Sequence, residues 1–431
     1  MPRMRSLALT NSLILSTFLL AAAACAENWP GWRGPRGDGT SLATNLPRHW
    51  DGATNKNILW KIRIPGEGHA SPIVWKDRIF LVTCLRENEQ RALLCLDRKS
   101  GETLWKRDVL KSGLETKHKL NSYASSTPVT DGQLVYVSFL ETGDRTVPAR
   151  NVSTPRPTKA GEMVIAAYDF SGNQQWLVRP GEFASVHGYC SNPVLHKDLI
   201  IVNGDHDGDS YILALQKNTG QTVWKTPRDH KTRSYVTPII RNVAGKTQMV
   251  FSGSEHIISL NPDDGGRYWS ITGPTEQFVA SMVFDGQLFY MAAGYPTYHV
   301  MGIRPDGNGD VTQSHIAWHV NNARCYVPSP VLVRNYLLVA DDRGTANCFD
   351  TSTGKRLWQE RLGMHYSASL IAAEGLAYFL SDDGIMTIVR PGPELDIVAE
   401  NSLNENCYAS PAVSERNIYL RAEQHLYCIQ Q

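Results

Sequence analysis

Short apolar runs rich in β-branched and aromatic residues recur along the chain, each bounded by turn-forming residues. DGQLVYVSF, KDLIIVNG, DGQLFYMAA, RNYLLVADD, EGLAYFLSDD and ERNIYLRAE are such runs, and each reads as a β-strand. A second pattern overlies the first. The run CLDRKSGETLWK (95–106) returns in degraded form as AYDFSGNQQW (167–176), ALQKNTGQTVWK (214–225), SLNPDDGGRYW (259–269) and CFDTSTGKRLW (348–358). Its elements are a small residue, an apolar one, a polar turn residue, Gly, and an apolar stretch ending in Trp. The Gly lies four residues past Asp97, Gln216 and Asp350, where a hairpin turn needs positive φ. Repeats of about 45 residues built from short strands and turns predict a β-propeller.

Two markers count the blades independently. The Trp-terminated strand occurs at Trp60, Trp105, Trp176, Trp224, Trp269, Trp318 and Trp358, with Val398 at an eighth, Trp-less position. A strand opening with a small polar residue, usually followed by Pro, occurs at Ser71, Thr127, Asn192, Thr237, Ser281, Ser329, Ser369 and Ser410. Both counts give eight. Each blade is expected to hold four antiparallel strands: a Pro-led inner strand, two middle strands and an outer Trp strand. At the C-terminal end Leu426–Ile429 is a third strand with no Trp strand after it. Near the N-terminus Ile58–Lys61 is a Trp strand with none before it. The expected fold is therefore an all-β, eight-bladed propeller over residues 58–431, its ring closed by the N-terminal strand completing the last blade. Trp spacings of 45, 71, 48, 45, 49 and 40 residues place an insertion at 140–159, rich in Pro, Thr and Arg and expected as a loop.

Composition narrows the function. A net charge of +1, from 43 basic and 42 acidic residues with no run of four Lys or Arg, excludes the basic stripe of a nucleic-acid partner. Residues 1–26 read as a signal peptide: Arg3 and Arg5, an apolar core from Leu13 to Ala24, and the small-residue site Ala24-Cys25-Ala26. The alternative takes Cys25 as a lipid anchor. No later segment has the ~18 consecutive apolar residues of a membrane-spanning helix. Residues 27–57 lead into the propeller. Export would leave seven cysteines, of which Cys95, Cys348 and Cys428 hold the small-residue position that Ala167 and Ala214 fill elsewhere, and so read as packing residues. Cys84 and Cys95, flanking one hairpin, are the one pair considered for a disulfide.

The pattern small-x-Asp-x-x-Thr-Gly-x-x-x-Trp resembles the tryptophan-docking repeat of the PQQ-like propellers. That superfamily includes quinoprotein alcohol dehydrogenases and BamB-like outer-membrane assembly factors. The resemblance covers 58–431, and Asn28-Trp29-Pro30-Gly31-Trp32-Arg33-Gly34-Pro35 is similar to the opening of exported bacterial proteins with this repeat. It implies the fold. The dehydrogenases hold their quinone against a vicinal Cys pair, and this chain has no adjacent cysteines, so no catalytic residue is carried over and no cofactor is expected.

Inner strands line a propeller's channel, so the residues ahead of each Pro marker ring one mouth of it. Glu67, His69, Asn121, His187, Arg233, Glu276, Arg324, Tyr326 and Asn406 are the candidate ligand-binding set, and their aromatic and polar mix suits a polar, partly planar or sugar-like ligand. The plainer reading packs the tyrosines between blades and pairs the charges. Asp205-His206-Asp207-Gly208-Asp209 and Asp306-Gly307-Asn308-Gly309-Asp310 begin like Ca²⁺ loops, but neither has the closing Glu, and turn formation accounts for both. No zinc spacing, nucleophile elbow or P-loop occurs, and His118 reads as a solvated loop residue. The chain is expected to be a cell-envelope binding or scaffolding module, periplasmic or secreted, or an outer-membrane lipoprotein if Cys25 is acylated. Its partner would be an envelope protein or a small polar ligand. The alternative is an enzyme at the channel mouth, either a divergent PQQ-dependent oxidoreductase or one of another class.

Overall fold

Eight antiparallel sheets stand around one axis, numbered here as blades 1–8 in chain order. The computed structural model describes residues 27–149 and 157–431. The signal-peptide and Cys25 readings lie outside the described residues. Blade 1 shows the plan, with strands Ile73–Trp75, Arg78–Leu85, Gln90–Asp97 and Thr103–Lys111 running from the axis outwards. Blades 2 to 8 begin at Val129, Val194, Ile239, Val283, Val331, Ile371 and Ala412. Among the described residues the helical content is one short 3₁₀ turn, Arg86–Asn88. Blade 8 takes its outer strand from the other end of the chain: Ile58–Arg63 pairs antiparallel with His425–Ile429, with Trp60 opposite Cys428. Inner and middle strands are apolar on both faces because each blade packs between two others, whereas outer strands alternate.

Register explains the repeat. The small residue stands directly across from the Trp of the outer strand, as Cys95 does from Trp105, Ala167 from Trp176, Ala214 from Trp224 and Cys348 from Trp358. A bulky side chain there would compete with the indole for the same inter-blade space. Blade 7 inverts the sizes. A bulge leaves Ala399, not Val398, across from Ile388, so the large member sits on the inner partner. The eighth Trp-equivalent position is therefore Ala399.

Six indoles dock on the following blade. Their Nε1–H groups donate to a turn carbonyl: Trp60 to Arg98 (3.1 Å), Trp105 to Phe170 (2.9 Å), Trp176 to Lys217 (2.9 Å), Trp224 to Pro262 (3.2 Å), Trp318 to Thr351 (2.8 Å) and Trp358 to Gly392 (3.2 Å). Trp269 instead donates to Gln248 Oε1 of its own blade at 2.8 Å. The turn glycine lies flat on the indole. At Gly172 φ is +83°, and a Cβ would come within 3.0 Å of the Trp105 ring. Gly172→Ala is therefore expected to cost about 2 kcal/mol, from strained φ and overpacking together. Trp105→Phe, which drops the hydrogen bond and loses part of the ring's packing on Gly172, is expected to cost about 3 kcal/mol. Urea denaturation of the two variants checks the order.

The second marker builds a girdle around the axis. Ser71 N–H donates to Thr127 Oγ1 (3.0 Å), Thr127 N–H to Asn192 Oδ1 (2.6 Å), and Asn192 Nδ2 to Thr237 Oγ1 (2.9 Å). Thr237 N–H donates to Ser281 Oγ (3.0 Å), Ser281 to Ser329 (2.9 Å), Ser329 to Ser369 (3.0 Å) and Ser369 to Ser410 (2.9 Å). Seven of eight junctions are joined this way, and Ser71 Oγ makes no hydrogen bond at the blade 8–blade 1 seam. Other groups span the seam. Arg98 Nε donates to Tyr419 Oη (2.8 Å), Arg421 Nη1 donates to Val82 O, and a single apolar cluster runs across blades 7, 8 and 1.

Two readings of the sequence need correction. The insertion at 140–159 is strand at every described position but Ala149: Leu134–Pro148 and Pro157–Asp169 pair out to Pro148 opposite Pro157. Ion pairs Arg179–Glu141 and Arg145–Glu182 fasten this ribbon to the outer strand of blade 2. Cys84 and Cys95 are unbonded, as are the other described cysteines. Cys84 lies opposite Arg91 and Cys95 opposite Phe80, so the two thiols sit far apart along one hairpin.

Candidate functional site

The leading segment closes one end of the bore. Trp29 exchanges backbone hydrogen bonds with Val74 at the far end of the blade 1 inner strand (2.8 and 2.9 Å), and Pro30 O accepts from Thr130 of blade 2 (2.8 Å). Arg33 lies buried across the axis and donates to Ser329 O (3.4 Å), Leu370 O (3.2 Å) and Pro330 O of blades 6 and 7. Burial lowers its guanidinium to about 10. Arg241 of blade 4 donates to Arg36 O (2.8 Å) and Asp38 Oδ2 (3.0 Å), and Thr40–Ser41 adds a parallel strand to blade 7. What remains is a blind cup of about 880 Å³ with the Trp32 indole in its wall on the floor side. That volume falls within the range of small-molecule sites.

The cup wall follows one rule. The residue two positions before each girdle residue lines it in all eight blades: His69, Ser125, Cys190, Tyr235, Val279, Val327, Ser367 and Tyr408. In extended chain, alternate residues share a face, so a side chain two before an axis-facing girdle residue faces the axis as well. Further wall residues come from the crossovers above, among them His118, Asn121, His187, Gln277, Tyr326, Asp342 and His365.

Of the nine expected residues, His69, Asn121, His187 and Tyr326 line the cup. His69 stacks on Tyr408 across the seam (centroids 4.6 Å apart), and its Nδ1 lies 3.1 Å from Leu120 O. Burial, with the charges of Arg421 and Lys117 adding, drops its pKa to about 3, so it is a neutral ring. Asn121 Nδ2 donates to His187 O at 2.8 Å. Arg233 stands behind the wall, its Nε 3.4 Å from His187 Nδ1 and its Nη1 2.6 Å from Asp207 Oδ1 in a fully buried ion pair. The other four are not brought to the cup. Glu67 faces Arg86 at 3.6 Å, Glu276 has the opposite strand phase to Gln277, and Arg324 and Asn406 are exposed further out. These four lie four or five positions before the girdle, where phase no longer decides: His187, Gln277 and His365 stand at the same steps and do reach the cup. His118, read as a loop residue, is exposed and also lines the cup, edge-on to His187 (5.8 Å).

The acidic turn 205–209 holds its carboxylates on basic side chains: Asp205 on Arg228 (2.9 Å), Asp207 on Arg233 (2.6 Å) and Asp209 on Lys231. Asp310, in the second turn, accepts from Thr312 N–H at 2.9 Å.

Blades 6 and 7 carry two acids that the sequence reading missed, Asp342 and Asp382. His365 Nδ1 lies 2.7 Å from Asp382 Oδ2, and this hydrogen bond raises the imidazole pKa. Asp342 accepts from Val327 N–H at 3.0 Å, and burial pushes its carboxyl up to about 6 from an ordinary 3.8. Its folded value exceeds the unfolded one, so the folded protein holds the extra proton between these values, and stability falls as pH rises through that window. Asp342→Asn removes the loss. It is expected to raise stability at pH 7 by about 2 kcal/mol after discounting for partial exposure, with no gain at pH 3.5, as thermal melts at the two pH values would show. Cys190 is a half-buried thiol in the wall, raised by desolvation to about 12, protonated and a poor nucleophile.

A family model described as "Outer membrane protein assembly factor BamB" matches residues 48–154, 142–296 and 309–391. BamB from Moraxella catarrhalis superposes with a TM-score of 0.59 at 12% identity, covering 86% of this chain and 99% of that one. The computationally designed Ika8 protein gives 0.52 at 12% identity, covering 91% and 99%. A europium-containing methanol dehydrogenase gives 0.49 at 13%, covering 93% and 90%. No curated protein matches in sequence. At such identities the likeness is one of fold.

Proposed function

The chain belongs to the PQQ-like β-propeller family of the outer membrane protein assembly factor BamB, and we propose that it is an exported cell-envelope propeller that acts by binding, with a small polar ligand held in the cup. The observation that carries this reading is the blind cup itself: a closed floor, aromatic faces at Trp32, Tyr235 and Tyr408, and amide and hydroxyl groups at Asn121, Asn192, Ser125 and Ser367. Aromatic faces stacked on C–H surfaces, with scattered donors and acceptors between them, suit a hydroxylated ring such as a short saccharide. Of Glu67, His187, Arg233 and Arg324, His187 alone lines the cup, and that dispersal favours binding over catalysis by the set. An enzyme at the same mouth is the second reading, favoured by Asp342 and the His365–Asp382 pair.

Isothermal titration against a panel of oligosaccharides tests the proposal. Trp32→Ala and Tyr408→Ala are expected to weaken binding about tenfold or more, each removing a stacking face worth ~1.5 kcal/mol. Recovery of the ligand unchanged supports binding, and a chemically altered ligand supports the enzyme. If nothing enters the cup and envelope proteins co-purify with the chain, its role is scaffolding by the outer surfaces.

A further inference from the structure

One carboxylate in the cup wall lacks a cation. Asp207 has Arg233, Asp205 has Arg228 and Asp382 has His365, each within 3.0 Å. Among the described residues Asp342 accepts from backbone amide groups at Val327 and Tyr326 and forms no ion pair, although the charge of His365 acts on it from farther off. Burying an acid without a counter-charge is costly, and natural cores seldom keep one that has no use. Asp342 is also not turned into protein, since it lines the cup.

Its neighbours are acceptors and ring faces. Tyr326, whose backbone N–H reaches Asp342, packs against Tyr295 with ring centroids 5.8 Å apart, and Tyr295 is exposed at the rim of the same cup. Gln277 Oε1, 3.4 Å from Tyr326 Oη, is a further acceptor in the same wall. From its own turn come Asp341, whose Oδ1 accepts from the turn's N–H groups, and Arg343, exposed at the rim. From blade 7 come His365 and Asp382, bonded to each other. A carboxylate flanked by tyrosine faces and an amide oxygen offers an ammonium group both charge pairing and ring contact.

We propose that the corner formed by Asp342, Tyr326, Tyr295 and Gln277 recognises a protonated amine, so that the ligand of this cup is an amine-bearing one, such as an amino sugar. The inference rests on the binding reading above and deepens it. The amine supplies the positive charge that Asp342 lacks, while the hydroxylated body lies along the neutral His69–Tyr408 side. Affinity rises with pH between 5 and 7. Over that range Asp342 gains its charge.

The test is isothermal titration of the full mature chain with three β-1,4-linked tetramers sharing one backbone: glucosamine, N-acetylglucosamine and glucose. At pH 7 the glucosamine tetramer is expected to bind at least tenfold more tightly than the other two. Asp342→Asn is expected to erase that preference, so that the glucosamine tetramer binds no more tightly than the glucose tetramer. Equal affinity for all three, or a preference that survives in Asp342→Asn, overturns the amine site and leaves the binding reading standing. If no tetramer binds, the saccharide reading falls, and thermal shift decides the amine site alone. A rise in Tm with 1,4-diaminobutane, absent with 1,4-butanediol and absent in Asp342→Asn, supports the site; no such rise overturns it.

Discussion

Replacing Arg233 by Leu is expected to lower stability by about 3–5 kcal/mol, among the largest losses for any single change in this chain. The guanidinium and the Asp207 carboxylate have no exposed side-chain surface, and Nη1 meets Oδ1 at 2.6 Å. Removing the cation leaves a carboxylate in the protein interior with Val186 N–H, at 3.2 Å, as a remaining donor. The penalty belongs to the stranded charge and not to the Arg side chain as such. Adding Asp207→Asn to Arg233→Leu is therefore expected to recover part of the loss, so that the double variant is more stable than the sum of the singles. Urea denaturation of the four proteins at pH 7 measures the coupling; strict additivity would refute the account. His187, which Arg233 Nε approaches at 3.4 Å, is expected to lose its fixed position in the cup wall.

Removal of residues 27–63 is expected to abolish cooperative unfolding altogether. Without Ile58–Arg63 the strand His425–Ile429 becomes an open edge, and Trp60 no longer covers the blade 8–blade 1 seam. That seam is the one junction that the girdle does not join, so the clasp carries more of the load there than at any other blade. A milder truncation separates ring closure from cup closure. A chain beginning at Asn57 keeps the clasp and loses the floor, including the buried side chains of Trp29, Leu46 and Trp50. It is expected to fold with a Tm lowered by ten degrees or more, since several large side chains at about 2 kcal/mol each are forfeited. It is also expected to bind its ligand weakly. Differential scanning calorimetry distinguishes the two truncations. A sharp transition in the shorter chain would falsify the role given to the clasp.

Most of the scaffold is legible in the sequence because its parts obey local rules. Trp at the end of an outer strand, Gly in the turn beneath it and a small residue opposite each answer to one contact, and that contact repeats. The blade count and the pairing of the two chain ends follow from the same rules. Blade 7 is harder to read because it reaches the same packed volume with Ile388 and Ala399 exchanged in size, which no search for Trp reveals. The cup is half legible. The residues two before the girdle are found by phase; at four or five before it phase no longer decides, since His187, Gln277 and His365 reach the cup and Glu67, Glu276, Arg324 and Asn406 do not. Asp342 lies outside the phase rule entirely. It comes from the turn between two strands of blade 6, and its significance lies in what fails to surround it, which only three dimensions show. The leading segment gives no sign in sequence that Arg33 will bridge blades 6 and 7 from across the bore, since those contacts span about three hundred positions.

The wall rule makes the cup an alphabet of eight letters written on a fixed frame. In this chain, starting from blade 1, the word is His, Ser, Cys, Tyr, Val, Val, Ser, Tyr. Each letter is set between a backbone pinned by amide-to-hydroxyl bonds and the bore, so exchanging one alters the chemistry of the wall while leaving the girdle in place. A propeller of this build can therefore change what it holds without relearning how to fold. Its binding preference becomes a string that any sequence with the same strand-opening marker would spell out, two places ahead of each one.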